Sequence, residues 1–101
     1  MAAKELMFEP LHPGEVLSEE YLKPIGVSQN RLALSMRIPA QRINEIINGK
    51  RAITADTAIR LAKVIGTTPE FWLSLQMDYD LQTTIRKEGK RIEREVEPIP
   101  A

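Results

Sequence analysis

The chain has 101 residues, of which 43% are hydrophobic and 28% charged, and its formal net charge is zero. This length suits one domain with one core, is too short for an enzyme with a separate substrate lobe, and has the composition of an ordinary globular protein. There are no cysteines for disulfides, no apolar run of membrane-spanning length, and no signal-peptide pattern in the first ten residues. We therefore expect a cytoplasmic protein.

Charge is distributed unevenly along the chain. From Gln29 to Lys63 there are seven basic and two acidic residues. Residues 1–28 hold two basic and five acidic residues, and residues 64–101 hold five basic and seven acidic ones. A net charge of zero is therefore compatible with nucleic-acid binding, because the middle of the chain supplies a positive face. The acidic flanks suit a basic partner.

A first helix of about ten residues is predicted after His12. Pro13 suits a helix start, and Pro24 and Gly26 mark the end. The apolar contacts of this helix are supplied by Val16, Leu17, Tyr21 and Leu22.

The segment from Ser28 to Arg51 has the spacing of two short helices joined by a tight turn. Ser28 suits an N-cap, and the first of these helices has an apolar face and is expected to stop near Arg37. Pro39 suits the first turn of the second helix, and Asn48 and Gly49 tolerate the left-handed backbone that ends it. The two apolar faces consist of Leu32, Ala33 and Met36, and of Ile43, Ile46 and Ile47.

Two further helices are predicted after this pair. Thr54 suits an N-cap with Asp56 in the first turn, and Gly66 ends a helix whose apolar face is Ala58, Leu61, Ala62 and Ile65. Thr68 and Pro69 then start a fifth helix, which carries Phe71, Trp72, Leu75 and Tyr79. The pattern contains no convincing strand, so we expect an all-α, five-helix bundle.

The charged tail, residues 83–101, is separated in this interpretation from a helical domain formed by residues 1–82. Its apolar residues, Ile85, Ile92, Val96 and Ile99, are too sparse to fill a core. Two interpretations stay open. The tail either continues as a solvated helix with pairs such as Glu88–Arg91 and Arg91–Glu95, or is disordered until bound.

Residues suited to catalysis are scarce. The single histidine, His12, stands beside a proline and is interpreted as a cap or turn residue. The carboxylate pairs Glu19/Glu20 and Asp78/Asp80 point apart on a helix, and the five glycines are too dispersed to form a phosphate loop. We expect no catalytic residue, no metal site and no cofactor.

The third helix carries side chains suited to reading DNA. A recognition helix presents its N-terminal residues to base edges in the major groove, and these residues are Ala40, Gln41 and Arg42, with Glu45 one turn further. Phosphate contacts are predicted for Gln29, Asn44, Asn48, Lys50 and Arg51. The alternative is that these polar residues are merely solvated, but the local positive charge and the paired helices favour DNA.

These motifs resemble a known family. Residues 27–66, with Gln29, Ala33, Ile43 and the Asn48-Gly49-Lys50 turn, resemble the Xre or phage-repressor (lambda repressor-like) helix-turn-helix. HPGEVL at 12–17, RINEIINGKRAITADTAIRLAK at 42–63 and FWLSLQMDYDL at 71–81 are similar to the HigA-type (VapI-like) antitoxins. The resemblance implies a bacterial, cytoplasmic repressor of its own operon that neutralises a HigB-type mRNA-cleaving toxin. Ala40 departs from the repressors that have a second polar reader there, so the operator sequence is not predicted.

A homodimer is expected because two helix-turn-helix units on a two-fold axis can read a palindrome with half-sites roughly 34 Å apart. The resemblance implies a dimer through the C-terminal helical region. Its predicted interface residues are Trp72, Leu75, Met77 and Tyr79, with Phe71 facing inward. Residues 1–82 are then the DNA-binding and dimerisation domain. The alternative is that Phe71, Trp72 and Leu75 close the core over the first helix.

Two acidic regions are candidate surfaces for a basic toxin. One is an N-terminal patch of Glu5, Glu9, Glu15, Glu19 and Glu20, and its rival is the acidic tail. The alternative for each of these residues is an ordinary solubilising charge.

Two functions other than an antitoxin are compatible with a chain of this size. The first is a stand-alone phage-like repressor without a toxin partner. A toxin-like reading frame beside this gene distinguishes an antitoxin from such a repressor. A small enzyme or RNA-binding module needs catalytic groups or aromatic residues beside the basic segment, and the chain has neither.

Overall fold

The computed structural model describes residues 9–100, and within that range the chain forms five helices and no strand. Helix α1 covers residues 13–25, with α-helical turns at Pro13–Val16 and Lys23–Ile25 around a π-helical stretch, Leu17–Leu22. The others are α2 (Gln29–Met36), α3 (Ala40–Ile47), α4 (Ala55–Ile65) and α5 (Pro69–Glu95). The predicted all-α, five-helix fold is confirmed.

The predicted helix starts are confirmed by their capping hydrogen bonds. The side chains of Ser28, Thr54 and Thr68 each accept a hydrogen bond from the backbone N–H three residues further on. Pro39 differs from the prediction: it is the N-cap of α3, with an extended ψ of 141°, and the helix begins at Ala40. Its fixed φ suits either position, but a cap residue keeps extended backbone before the first helical turn.

The helix ends also follow the sequence signals. Gly26 and Gly66 adopt left-handed backbone with φ of 69° and 91°. After α3 the C-cap Asn48 keeps a negative φ of −84°, and the next residue, Gly49, has the left-handed φ of 73°. Arg37 ends α2 in the same conformation, with φ of 59°, although it has a side chain. This backbone reverses the chain between α2 and α3 within three residues.

The core lies where the apolar faces of all five helices meet. Leu17, Ile43, Ile46 and Leu61 are fully buried, and so is Trp72 from α5. The apolar faces predicted for α2, α3 and α4 are confirmed, with Ile47 and Ile65 only partly buried at the edge of the core. Trp72 also donates a hydrogen bond from Nε1 to the Thr67 hydroxyl at 2.7 Å, so its one polar atom is satisfied.

Gly14 brings α1 directly against the backbone of α3. A Cβ atom at this position would lie 1.8 Å from the Ile46 carbonyl oxygen and 2.8 Å from the Ile47 Cα. Glycine is therefore required here by packing rather than by its backbone angles.

His12 caps α1, as the sequence predicts for it. Its Nδ1 accepts a hydrogen bond from the Gly14 backbone N–H at 2.9 Å, and its ring meets the ring of Tyr79 edge to face at 4.8 Å. Burial lowers the pKa of His12, and the nearby charge of Asp80 opposes this effect. The neutral imidazole is the form that can accept the capping hydrogen bond.

This cap predicts a pH-dependent stability. Because the folded pKa of His12 lies below its ordinary value of 6.5, the unfolded chain takes up the proton first as the pH falls. The contribution of His12 is present above pH 6.5 and is lost as the pH falls from there through the folded pKa. We expect a lower melting temperature at pH 5.5 than at pH 7.5, and a smaller difference in His12→Asn, which keeps a capping acceptor. An equal decline in both proteins would exclude His12 as its source.

Helix α5 continues past residue 83 as far as Glu95. Along this stretch Arg91 pairs with Glu88 at 2.8 Å and with Glu95 at 3.0 Å. The division of the chain at residue 82 stays a prediction. In residues 9–100 no helix is both long and apolar enough to cross a membrane.

Candidate nucleic-acid interface

Helix α3 presents a polar face on the side opposite its buried isoleucines. Gln41 and Asn44 are exposed, Glu45 is half-buried, and Asn48 follows as an exposed residue at the end of the helix. Ala40 lies closer to the core and packs against it, so it offers only part of its methyl group to a partner. The structure therefore brings two of the four predicted base-reading residues, Gln41 and Glu45, onto one face, with Ala40 at its edge.

Hydrogen bonds order the side chains of this face. Glu45 accepts from Arg51 Nε at 2.7 Å and from Gln41 Nε2 at 3.3 Å. The hydrogen bond from Arg51 is the main cause that lowers the pKa of Glu45, so the group is a carboxylate at neutral pH. A carboxylate is an acceptor only, which suits the exocyclic amino group of cytosine.

The face continues onto the start of α2. Gln29, the first residue of α2, accepts a hydrogen bond through Oε1 from the Asn44 side chain. Lys50 and Arg51 follow α3 in an exposed loop, where the Lys50 N–H donates to the Glu45 carbonyl at 2.8 Å. The residues predicted to contact phosphate thus lie on the α3 face, at Asn44 and Asn48, and around it, at Gln29, Lys50 and Arg51.

Arg42 lies apart from the other predicted base-reading residues. It is on the edge of α3 that faces α4, and its Nη1 is 3.3 Å from the Asp56 carboxylate. Asp56 also accepts from Arg60 Nε at 2.9 Å, and this hydrogen bond is the main cause that lowers the Asp56 pKa. This cluster was not predictable from the sequence, because it depends on where α4 places Asp56 relative to α3.

Gln76 is a supporting residue that sequence reasoning missed. It is buried on α5, accepts from the Ile53 backbone N–H at 2.8 Å, and donates to Asp80 at 2.9 Å. It thereby fixes the segment between Arg51 and α4. A polar residue one helical turn after Trp72 was the available signal.

The predicted dimer residues do not share one face of α5. Trp72 has no exposed surface and must be removed from the interface set, because it fills the core of its own chain. Leu75 packs against that core and Tyr79 against His12, whereas Met77 is 65% exposed. Phe71, predicted to face inward, lies at the surface, because Trp72 occupies the inward position.

The described part of the chain, residues 9–100, contains no cluster of three His, Asp or Glu side chains that could hold a metal ion.

Comparison with known proteins identifies the family. A family model described as helix-turn-helix matches residues 19–72. Virulence-associated protein I of Dichelobacter nodosus is 50% identical over 72 residues, which are 71% of this chain and 67% of that protein. An addiction module antidote protein of the HigA family from Coxiella burnetii is 53% identical, with a TM-score of 0.86 over 91% of this chain and 100% of that one.

A second solved structure is similar and was determined with DNA. The Pseudomonas aeruginosa antitoxin HigA with the higBA promoter is 41% identical, with a TM-score of 0.86 over 90% of this chain and 99% of that one. This family consists of DNA-binding antitoxins and regulators rather than enzymes. The chain belongs to the helix-turn-helix family and, within it, to the HigA-type antitoxins.

Proposed function

We propose that this chain is a sequence-specific DNA-binding antitoxin that represses its own operon in the cytoplasm. The observation that carries the proposal is the ordered polar face of α3. Gln41 and Asn44 are exposed on this face and Glu45 is half-buried, while Ile43 and Ile46 are buried on the opposite side of the helix. A related HigA was solved with its promoter, and the positive charge between residues 29 and 63 suits the DNA backbone.

The side chains divide into two roles. Gln41 and Glu45, with the exposed part of Ala40, contact base edges, and Arg42 contributes a base or backbone contact once it leaves Asp56. Gln29, Asn44, Asn48, Lys50 and Arg51 contact phosphates and fix the position of the helix on the duplex.

Substitution of Gln41 tests the base contacts. We expect Gln41→Ala to weaken binding to the promoter of this gene by about 1–3 kcal/mol and to leave binding to a scrambled duplex nearly unchanged. Fluorescence anisotropy at several salt concentrations measures both. Gln82→Ala on α5 is the matched glutamine control. Equal promoter affinity of wild type and Gln41→Ala would show that α3 does not read bases through this residue.

The proposal includes a homodimer, because a palindromic operator requires two copies of α3. Of the predicted interface residues Met77 retains an exposed apolar side chain, and Leu81, one turn further on α5, is 56% exposed. We infer that this side of α5 meets its copy. Analytical ultracentrifugation tests it: Met77→Glu should dissociate the dimer, whereas Leu34→Glu, at an exposed leucine on α2, should not. A wild-type chain that stays monomeric contradicts the inference.

The toxin partner is proposed from the family. Glu15, Glu19 and Glu20 form an exposed acidic surface on α1, and Glu9 pairs with Arg86 at 3.7 Å. Glu5, also predicted for this patch, lies outside the described residues. The rival surface is the end of α5, where Glu93 and Glu95 are exposed.

Growth measurements separate the antitoxin from a stand-alone repressor. A small reading frame beside this gene is expressed alone and then together with this chain. We expect growth arrest that this chain relieves. The absence of arrest, or arrest that persists in the presence of this chain, contradicts toxin neutralisation and leaves the stand-alone repressor.

A further inference from the structure

Asp56 holds two arginines beside the proposed DNA face. Its Oδ1 atom lies 3.3 Å from Arg42 Nη1 and 2.9 Å from Arg60 Nε, and its side chain is 58% exposed. One carboxylate at the surface therefore forms ion pairs with an arginine of α3 and an arginine of α4.

The surroundings of this cluster are strongly positive. A cavity of about 310 Å³ is lined by Arg37, Arg42, Arg51 and Arg60, with Asp56 as the one acidic residue in its lining. Arg51 is paired with Glu45, and the other three guanidinium groups around the single Asp56 carboxylate leave an excess of positive charge. Guanidinium groups bind phosphate oxygens in the same planar, paired geometry that they use with carboxylates.

The two arginines are held differently. Arg60 is one helical turn from Asp56 and also donates through Nη1 to the Met36 carbonyl at 2.9 Å, which fixes it at the end of α2. Arg42 has the longer contact with Asp56, and an exposed ion pair of this kind is weak. Arg42 is therefore the arginine that can exchange partners.

We propose that Asp56 competes with operator phosphates for Arg42. In the free protein the Asp56 carboxylate holds Arg42 against α4, and on binding a backbone phosphate replaces that carboxylate while Arg60 remains paired with Asp56. This proposal rests on the proposed DNA-binding function. It assigns to Asp56 the role of limiting operator affinity.

Removal of the competing charge tests the proposal. We expect Asp56→Asn to bind the promoter duplex about twofold to fivefold more tightly than wild type at low salt, because Arg42 is already released. In an Arg42→Ala background the same substitution should give little gain. Glu70→Gln is the matched control, because Glu70 occupies the same second position in α5 that Asp56 occupies in α4.

The double-mutant cycle distinguishes competition for Arg42 from general repulsion of DNA by an acidic residue. The proposal is overturned if Asp56→Asn raises promoter affinity equally with and without Arg42, or does not raise it at all. In that case promoter binding by wild type still supports the proposed DNA-binding function. If wild type shows no preference for the promoter, the proposed function and this inference fail together. Circular dichroism establishes that each variant keeps the helical content of wild type.

Discussion

Gly14→Ala is expected to destabilise the protein by about 3 kcal/mol or more. The added Cβ would lie 1.8 Å from the Ile46 carbonyl oxygen and 2.6 Å from its carbon. These are backbone atoms of α3, so no side-chain rotation relieves the overlap, and α1 must separate from α3. Overpacking in a closely packed core usually costs about 1–3 kcal/mol of stability. Because the overlap here is with backbone atoms that cannot rotate away, we expect a loss at or above the upper end of that range.

Urea unfolding followed by far-UV circular dichroism measures the change. Gly89→Ala is the matched control, because Gly89 lies within α5 and a Cβ there would meet Ile85 Cγ2 at an ordinary 3.4 Å. Alanine favours a helix by up to about 1 kcal/mol over glycine, so this control should be neutral or more stable. An unchanged urea midpoint for Gly14→Ala would mean that α1 and α3 are not in this close contact.

The same substitution is expected to affect function. Because α1 supports α3 from behind at Ile46, a shift of α3 moves the polar face with Gln41 and Asn44. Promoter affinity should therefore fall even where enough stability remains for folding. Gly89→Ala should retain wild-type affinity.

The helices themselves were predictable because their signals are local. Ser28, Thr54 and Thr68 cap helices through bonds to residues three positions away, and the glycine at 66 supplies left-handed backbone where an apolar face ends. Each of these signals is contained in a few consecutive residues. The requirement for glycine at 14 was not predictable, because it is imposed by the backbone of a helix distant in sequence.

The candidate site was predictable in its composition and less so in its geometry. The periodicity of α3 placed Gln41 and Glu45 opposite Ile43, but a periodic pattern does not show which neighbour an edge residue meets. Arg42 turns to Asp56 because α4 passes beside it. The predicted dimer residues rest on residue type and on the family resemblance. Neither shows the direction in which Trp72 points, because that depends on how α5 packs on the core.

Trp72→Ala is expected to cost about 3–5 kcal/mol of unfolding free energy, which is the usual range for deleting a buried aromatic side chain. Trp72 has 0% exposure, and it packs against the rings of Phe71 and Tyr21 at centroid distances of 5.0 and 5.4 Å. Alanine would leave a cavity between α1 and α5 and remove the hydrogen bond to Thr67. Since small domains are stable by about 5–15 kcal/mol, a large part of the total stability would be lost.

Phe71→Ala is the matched control for this prediction, because the neighbouring ring is 36% exposed and already contacts water. It should cost clearly less than Trp72→Ala in urea unfolding monitored by circular dichroism, which does not depend on tryptophan fluorescence. The comparison also decides between the two roles considered for Trp72. A core residue lowers stability at every protein concentration, since its contacts lie within one chain. If Trp72→Ala instead leaves the folded monomer as stable as Phe71→Ala and weakens only self-association, Trp72 lies at the subunit interface and the packing of α5 described above is wrong.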